Sequence, residues 1–296
     1  MISVFVPGHI TGFFSIFPKE NKLKKGSLGC GVLLDKGVTS SIKERNKDGI
    51  NIKINGKNDS YHTIISKETI DIINKDYQID KYLNKLDING LEINHNIEVP
   101  IGCGFGTSAS SSLGVAILLK DTLNLPITYE EAGKYAHLSE VSLNCGLGDV
   151  IAEMSKGIVL RTKPGAPGFG KTEYINSDYK IVSKSLDKID TSTIITDPDY
   201  QKRITKEGIK AQKEYLKNPS SKNFIECSYN FSKKIGLFNN EIIDLIDEFN
   251  EFCIGSSMAM IGNTVFGLCK DTSTLDKKYT INNIENNGIQ IKKNNI

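Results

Sequence analysis

Arginine is almost missing from this chain: of 37 basic residues only Arg45, Arg161 and Arg203 are arginines, so each invites a question about its purpose. No sign of charge dominates either. Lys+Arg of 37 against Asp+Glu of 35 leaves a formal net charge of +2, which argues against nucleic acid or an anionic membrane surface as the main partner. The six cysteines (Cys30, Cys103, Cys145, Cys227, Cys253 and Cys269) contain no C-x-x-C, and the four histidines (His9, His62, His95, His137) are scattered. That spacing argues against a zinc site. A chain of 296 residues needs no disulfides to fold, so reduced thiols and a cytoplasmic setting are the expectation. No apolar run reaches membrane-spanning length. The apolar stretch from Met1 to Phe17 lacks a basic start and is interrupted by Pro7-Gly8 and Gly12, so it reads as a strand and a loop, not a signal peptide. Neither an internal repeat nor a low-complexity tail is visible. What remains, 39% hydrophobic residues, can fill one large core or two moderate ones.

The informative stretch is Pro100-Ile101-Gly102-Cys103-Gly104-Phe105-Gly106-Thr107-Ser108-Ala109. Three alternate glycines and two hydroxyls stand at the mouth of an apolar helix carrying Leu113, Ala116, Ile117 and Leu123. Glycines let a backbone approach a ligand closely, and the helix behind them offers unpaired N–H groups and the positive end of its dipole. The combination suits a phosphate chain; a glycine-rich turn before a core helix is the plainer alternative.

Two other glycine templates fit the letters and fail on context. Gly104 to Ala109 satisfies G-x-G-x-x-A, but a dinucleotide site also needs an acidic residue closing a second strand some 20 residues on, and a helix stands there instead. Gly165-Ala166-Pro167-Gly168-Phe169-Gly170-Lys171-Thr172 formally matches a Walker A loop, which requires a helix beginning at its Lys and Thr. Here Glu173-Tyr174-Ile175 and the turn cluster Asn176-Ser177-Asp178 follow, so no helix dipole is supplied.

Residues 100–109 resemble throughout the signature Pro-x-x-x-Gly-Leu-Gly-Ser-Ser-Ala of the GHMP kinases, small-molecule kinases that include galactokinase, homoserine kinase and mevalonate kinase. Phe105 replaces the leucine and Thr107 the first serine, keeping an apolar plug and a hydroxyl. Within that superfamily Val6 to Phe14, Gly26 to Gly31 and Ser257 to Phe266 look like one branch, the archaeal pantoate kinases. The resemblance implies an α+β, two-lobed fold: a first lobe, residues 1–165, like the second domain of ribosomal protein S5 and binding ATP, and a ferredoxin-like second lobe, residues 166–296, cut at the Pro/Gly run after Lys163. It implies ATP-dependent phosphorylation of the primary hydroxyl of (R)-pantoate to 4-phosphopantoate on the archaeal route to coenzyme A, with Mg²⁺ and a homodimer. A sister kinase for another small alcohol, of homoserine or mevalonate type, is one rival; a catalytically silent nucleotide-binding regulator is another.

Residue by residue, the resemblance assigns the phosphates to Gly102, Gly104, Gly106, Thr107, Ser108 and Ala109. Asp149, in Gly146-Leu147-Gly148-Asp149, is either a helix N-cap or the base that takes a proton from the substrate hydroxyl. Glu140, near the end of the helix from Thr128, reads by itself as a solvated side chain; the family pattern makes it a Mg²⁺ ligand with Ser108 (or Thr107). Arg161 is either a strand-end surface arginine or a clamp on the substrate carboxylate. His9 and Thr11 lie where the branch places the acceptor, His9 being equally readable as a buried structural residue. Gly255 to Gly262 stands for the third GHMP motif but is glycine-poor, and its methionines read as core.

Periodicity predicts strands at Ile2–Val6, Gly29–Leu34, Val38–Ile42, Ile50–Ile54, Leu91–Val99 and Gly157–Arg161, and after the Pro/Gly run at Tyr179–Val182, Ser192–Ile195 and Thr264–Leu268. Helices are expected from about Ser66 to Leu86, Thr107 to Leu123, Thr128 to Leu143 with a Thr128–Glu131 capping box, Gln201–Leu216, Ser220–Ile235 and Glu241–Phe252. Residues 283–291 read as a closing turn or short helix and a strand.

Overall fold

The computed structural model describes residues 2–59, 62–186, 197–260 and 262–293. The expected strand Ser192–Ile195 lies outside them. The first half of the chain builds β1 (Ile2–Phe17), β2 (Gly26–Arg45), β3 (Gly49–Ile54), α1 (Ile64–Tyr77), α2 (Ile79–Lys85), β4 (Gly90–Ile97), α3 (Thr107–Thr122), α4 (Tyr129–Leu143), α5 (Asp149–Glu153) and β5 (Ile158–Lys163). Then follow β6 (Lys171–Ile175), β7 (Lys180–Ser185), α6 (Pro198–Tyr215), α7 (Ser221–Ile235), α8 (Asn240–Asn250), β8 (Ser256–Met258), β9 (Thr264–Cys269), β10 (Thr280–Asn283) and β11 (Gln290–Lys293).

Two sheets result. The larger runs β11-β1-β2-β4-β3, with β5 on the far half of β2 and β6 on β5; the smaller runs β10-β7-β9-β8. Two strands from beyond the Pro/Gly run, β6 and β11, thus join the larger sheet. Lys171 and Thr172 open β6, so the Walker-like segment leads into a strand and presents no helix N-terminus.

β1 is far longer than its first alternating stretch predicts, because its two halves serve two cores. Val4 and Val6 pack with α1, α2, α3 and α4; Ile10, Phe13, Phe14 and Ile16 pack with α6, α7, α8 and the smaller sheet. Each such fully buried side chain stabilises by about 1.5–3 kcal/mol relative to an exposed one. Register shifts between Pro7 and Gly8, and between Thr11 and Phe13, separate the halves. A bulge re-aims the side chains beside it, and His9 and Thr11 stand between these two, at the junction of the cores.

The second core is closed by α6 to α8. Ile242, Leu245, Ile246 and Phe249 form the buried stripe of α8, whose N-cap Asn239 accepts from the Ile242 amide at 2.8 Å. Gly208 lets α6 rest directly on the Phe14 carbonyl.

Other expectations meet the structure with instructive differences. The helix expected to Leu86 breaks at Gln78, whose φ of 51° is left-handed while Asn74 Oδ1 accepts from the Ile79 amide at 2.8 Å and starts α2. The two strands read at Gly29–Leu34 and Val38–Ile42 are one strand, β2, bent to pair with β4 along one half and β5 along the other. The reading of all thiols as reduced is corrected: Cys253, just after α8, and Cys269, ending β9, form a disulfide with Cα atoms 4.4 Å apart, while Cys30, Cys103, Cys145 and Cys227 are free. Tertiary proximity created that pair, and nothing in the spacing announced it. Among the described residues, no helix is long and apolar enough to cross a membrane.

Candidate active site

Residues 100–106 turn from β4 into α3 with Gly102, Gly104 and Gly106 all at positive φ (76°, 89° and 69°). That backbone is open to glycine and strained for nearly any other residue. Gly106 is the N-cap of α3 and provides no side-chain cap, so the N-cap residue leaves the first amides of the helix to other partners. Thr107 and Ser108 sit half-buried in this first turn and Ala109 is buried beneath it.

The loop is held from behind. The His9 amide donates to the Phe105 carbonyl at 3.0 Å, and Thr264 Oγ1 donates to the Cys103 carbonyl at 2.8 Å. Gly262 packs against Cys103, and the Met260 amide donates to the Thr11 carbonyl at 2.9 Å. The glycine-poor segment at 255–262 therefore braces the loop, with Met258 and Met260 buried as core residues.

α4 and α5 bring the acids. The capping box expected at Thr128 forms, fixing the start of α4. Near its other end Glu140 is only 2% exposed, so the solvated reading does not hold. Among the described residues no side chain meets either Glu140 oxygen in full hydrogen-bond geometry; burial, then the negative charge of Asp149, push its pKa up to about 8, against the pull of the nearby Ser108 hydroxyl. Asp149 opens α5 behind Gly148. A Cβ on Gly146 would fall closer than 3.0 Å to Glu140 Oε2 and 3.2 Å from Asp149 Oδ2. Both acids thus face the one point that Gly146 leaves clear.

Asp149 is oriented by β1. Its Oδ1 meets His9 Nδ1 at 2.8 Å and accepts from Thr11 Oγ1 at 3.4 Å. Burial opposes its charge, but the His9 hydrogen bond, the positive charge of Arg161 and the Thr11 hydroxyl outweigh that and hold its pKa below the ordinary value. For His9 burial dominates and lowers the pKa despite Asp149. The pair is therefore an aspartate accepting from a neutral imidazole. His9 Nε2 has no hydrogen-bond partner among the described residues and is tucked against Gly31, which leaves no room for a Cβ.

Arg161 is 2% exposed, deep beneath Gly29 and Gly148, with Nη1 donating to the Gly148 carbonyl at 3.4 Å and Nε without a partner among the described residues. Its charge favours the ionised form of Asp149. The structure thus gathers His9, Thr11, Glu140, Asp149 and Arg161 beside the first turn of α3.

Sequence reasoning missed one member of this group. Glu153, on α5, is fully buried, and among the described residues neither of its oxygens has a hydrogen-bond partner. Its only signal was position: four residues after Asp149, one helical turn, so both leave the same side.

Chemically, the arrangement offers an anion cradle, an ionised carboxylate with its Oδ2 free to take a proton, and a second, buried carboxyl beside a hydroxyl. Among the described residues no three His, Cys, Asp or Glu side chains converge as a metal cage.

Comparison with known proteins places the chain among relatives. The family model described as GHMP kinases N terminal domain matches residues 67–157. The pantoate kinase of Methanocaldococcus jannaschii is 36% identical over 281 residues, covering 95% of this chain and 97% of that protein. The pantoate kinase of Thermococcus kodakarensis is 34% identical over 289 residues, covering 96% and 93%. Among solved structures, one described as a phosphotransferase related to the CoA biosynthesis pathway superposes with a TM-score of 0.84 at 32% identity, covering 98% of both chains. A mevalonate kinase, at TM-score 0.66 and 20% identity over 97% of this chain and 99% of that one, shares the fold.

Proposed function

This chain belongs to the GHMP kinases, in their pantoate kinase family, and on that premise we propose that it transfers the γ-phosphoryl group of ATP to the primary hydroxyl of (R)-pantoate, yielding 4-phosphopantoate and ADP on the route to coenzyme A. The observation that carries the acceptor is the identity of more than a third with a pantoate kinase along 95% of the chain. It spans acceptor and phosphate sides alike.

The mechanism follows from the residues. The β- and γ-phosphates rest on Gly102, Gly104, Gly106, Thr107, Ser108 and Ala109, where the first amides of α3 and its dipole meet negative charge. The pantoate hydroxyl is placed against Asp149 Oδ2, since Oδ1 is engaged by His9 and Thr11. As the oxygen attacks in line, its proton passes to Asp149, a new P–O bond forms, and the bond to the β-phosphate oxygen breaks to release ADP. His9 keeps the aspartate ionised and aimed, and positioning with charge stabilisation supplies most of the rate. Arg161 answers the pantoate carboxylate from beneath Gly148, a task suited to a guanidinium. The buried Glu140 carboxyl and the Ser108 hydroxyl are hard oxygen donors that fit Mg²⁺, which would neutralise charge on the phosphates. The ATP-binding lobe takes residues 1–165 as its body. Family resemblance supports a homodimer and a cytoplasmic setting.

The deciding experiment measures ADP production with ATP, Mg²⁺ and each of (R)-pantoate, homoserine and mevalonate. Turnover restricted to pantoate is expected. Turnover only with another alcohol would discard the acceptor, and ATP binding without turnover on any of them would discard catalysis.

A further inference from the structure

Arg203 stands in a charged cavity that the phosphoryl transfer leaves unused. Lys202, Arg203, Lys206, Glu207 and Lys210 of α6, with Lys234 of α7, line an open cavity of about 530 Å³. That size suits a small molecule. Lys202, Lys206 and Lys210 recur every fourth residue along one face of α6, and like charges at that spacing weaken a helix unless an anion answers them. The protein answers only in part. Glu207 meets Lys210 at 2.6 Å and Asp199 meets Lys202 at 3.4 Å. Among the described residues no carboxylate pairs with Arg203, Lys206 or Lys234. Arg203 lies over the Tyr200 ring, 5.4 Å from its centre, and its Nη1 reaches toward the end of α7, 3.7 Å from where a Cβ on Gly236 would stand. The hydrogen bond from Lys210, then the charges of Lys210, Lys234 and Lys206, hold the Glu207 pKa below its usual value, so the one carboxylate of the lining is already shared among three lysines. The buried side of α6 faces elsewhere: Gly208 rests on the Phe14 carbonyl, and Gln212 Nε2 donates to the Arg161 carbonyl at 3.4 Å. The cavity therefore lies across α6 from Arg161, apart from the cradle at α3.

We propose that this cavity is a second anion site, which takes a compact molecule bearing two or more phosphate groups, with Arg203 gripping one phosphate and Lys206 and Lys234 meeting the next. A guanidinium presents a fork that matches phosphate oxygens, and the lysines add point charges beside it. Lys202 and Lys210 stand about 12 Å apart along the helix at 1.5 Å per residue, a span for a chain of anionic groups and too long for a single one. Asp199 before the basic strip and Glu214 one turn after Lys210 bound it at both ends. A nucleic-acid strand running along α6 would meet those acids, whereas a short polyanion fits between them. The site is independent of how residues 102–109 and Asp149 are used.

The test is lysine footprinting. The whole protein is acetylated with an N-hydroxysuccinimide ester in Mg²⁺-free buffer of constant ionic strength, and each lysine is read by peptide mass spectrometry. Tripolyphosphate is expected to slow acetylation of Lys206 and Lys234 about tenfold while the exposed Lys47 and Lys67, far along the chain, keep their rates. Because the readout is local, the probe's binding at the α3 cradle does not confuse it. Orthophosphate should need a concentration at least about tenfold higher for the same protection, since it meets fewer of the cations at once. ATP in place of tripolyphosphate distinguishes a phosphate chain carried by a nucleotide from a free one, and protection by either supports the site. Arg203→Ala should raise the half-protecting concentration about tenfold and leave kinase turnover at the wild-type rate, which also shows that the variant is folded. Unchanged reactivity of Lys206 and Lys234, equal protection of Lys47 and Lys67, or an Arg203→Ala protein protected like wild type would overturn the proposal. So would a single-stranded oligonucleotide that protects at a lower phosphate concentration than tripolyphosphate, which would make the strip a nucleic-acid surface.

Discussion

Gly146→Ala adds one methyl group and should cost most of the activity. Gly146 does not carry a positive φ, so alanine meets no backbone penalty there. The collision is with function: the new Cβ falls inside 3.0 Å of Glu140 Oε2 and at 3.2 Å from Asp149 Oδ2. Ordinary carbon contacts begin near 3.5 Å, so the Glu140 carboxyl must retreat by roughly an ångström and Asp149 by a few tenths. A misplacement of about 1 Å at a reacting centre can cost ~10²-fold in rate, which is about 2.7 kcal/mol of transition-state stabilisation. Stability should hardly change, because Gly→Ala at a permitted φ,ψ gains about 0.4–1 kcal/mol by restricting the unfolded chain, which offsets part of the clash. The assay is coupled ADP release over a range of Mg²⁺ concentrations, beside a thermal melt. We expect kcat to fall about a hundredfold, a higher Mg²⁺ requirement and a Tm within a few degrees of wild type. A Gly146→Ala enzyme with wild-type kcat and Mg²⁺ dependence would refute the claim that the two acids must stand where they do.

Further expectations concern the base, the arginine and the core. Asp149→Asn should lower kcat by about 10²–10⁴ while ATP still binds, and Lys171→Ala should leave kcat unchanged; the opposite pattern would revive the Walker-like loop. Arg161→Lys should raise KM for pantoate roughly tenfold without changing KM for ATP, and a fall in kcat alone would instead make Arg161 a support for Asp149. His95 is buried between Ser40 (2.7 Å) and Ser66 (2.9 Å), and burial lowers its pKa from 6.5 to about 4. The unfolded chain therefore binds the extra proton between pH 6.5 and 4, and stability present above pH 6.5 is lost as pH falls through that window, by about 3 kcal/mol. Urea unfolding of wild type and His95→Gln at pH 7 and pH 4.5 checks this; equal acid losses in both would refute it.

What could be read from the sequence was local. The glycine loop, the α3 helix behind it and the Thr128–Glu131 box are each set by a few neighbouring residues, and all three stand as expected. The strand at Lys171 likewise agrees with the turn cluster that follows it. Features that depend on distant partners were hidden. Glu140 has a solvated residue's spacing, and its burial comes with the turn at Gly146 and the Ser108 hydroxyl that the fold brings to it. Arg161 looked equally like a surface residue, and the descent of β5 beside Gly29 and Gly148 is what buries it. Glu153 sits on a helix of five residues, too short for a periodic pattern to declare a face. Cys253 and Cys269 become neighbours only when α8 packs on β9.

The pairing of β11 with β1, Ile2 opposite Lys293 through Phe5 opposite Gln290, bears on how the molecule is made. β2 follows β1 directly and covers one of its edges, whereas β11, which covers the start of the other edge, comes after every other described element. Until β11 docks, the outer edge at Ile2–Phe5 offers free amides and carbonyls, a state open to mispairing between partly folded chains. The larger sheet is therefore closed by its longest-range pairing, which loop-closure entropy makes slow to form. Pulse-labelled truncations lacking residues 290–293 should be trimmed by protease at β1 while α3 and α4 are already protected.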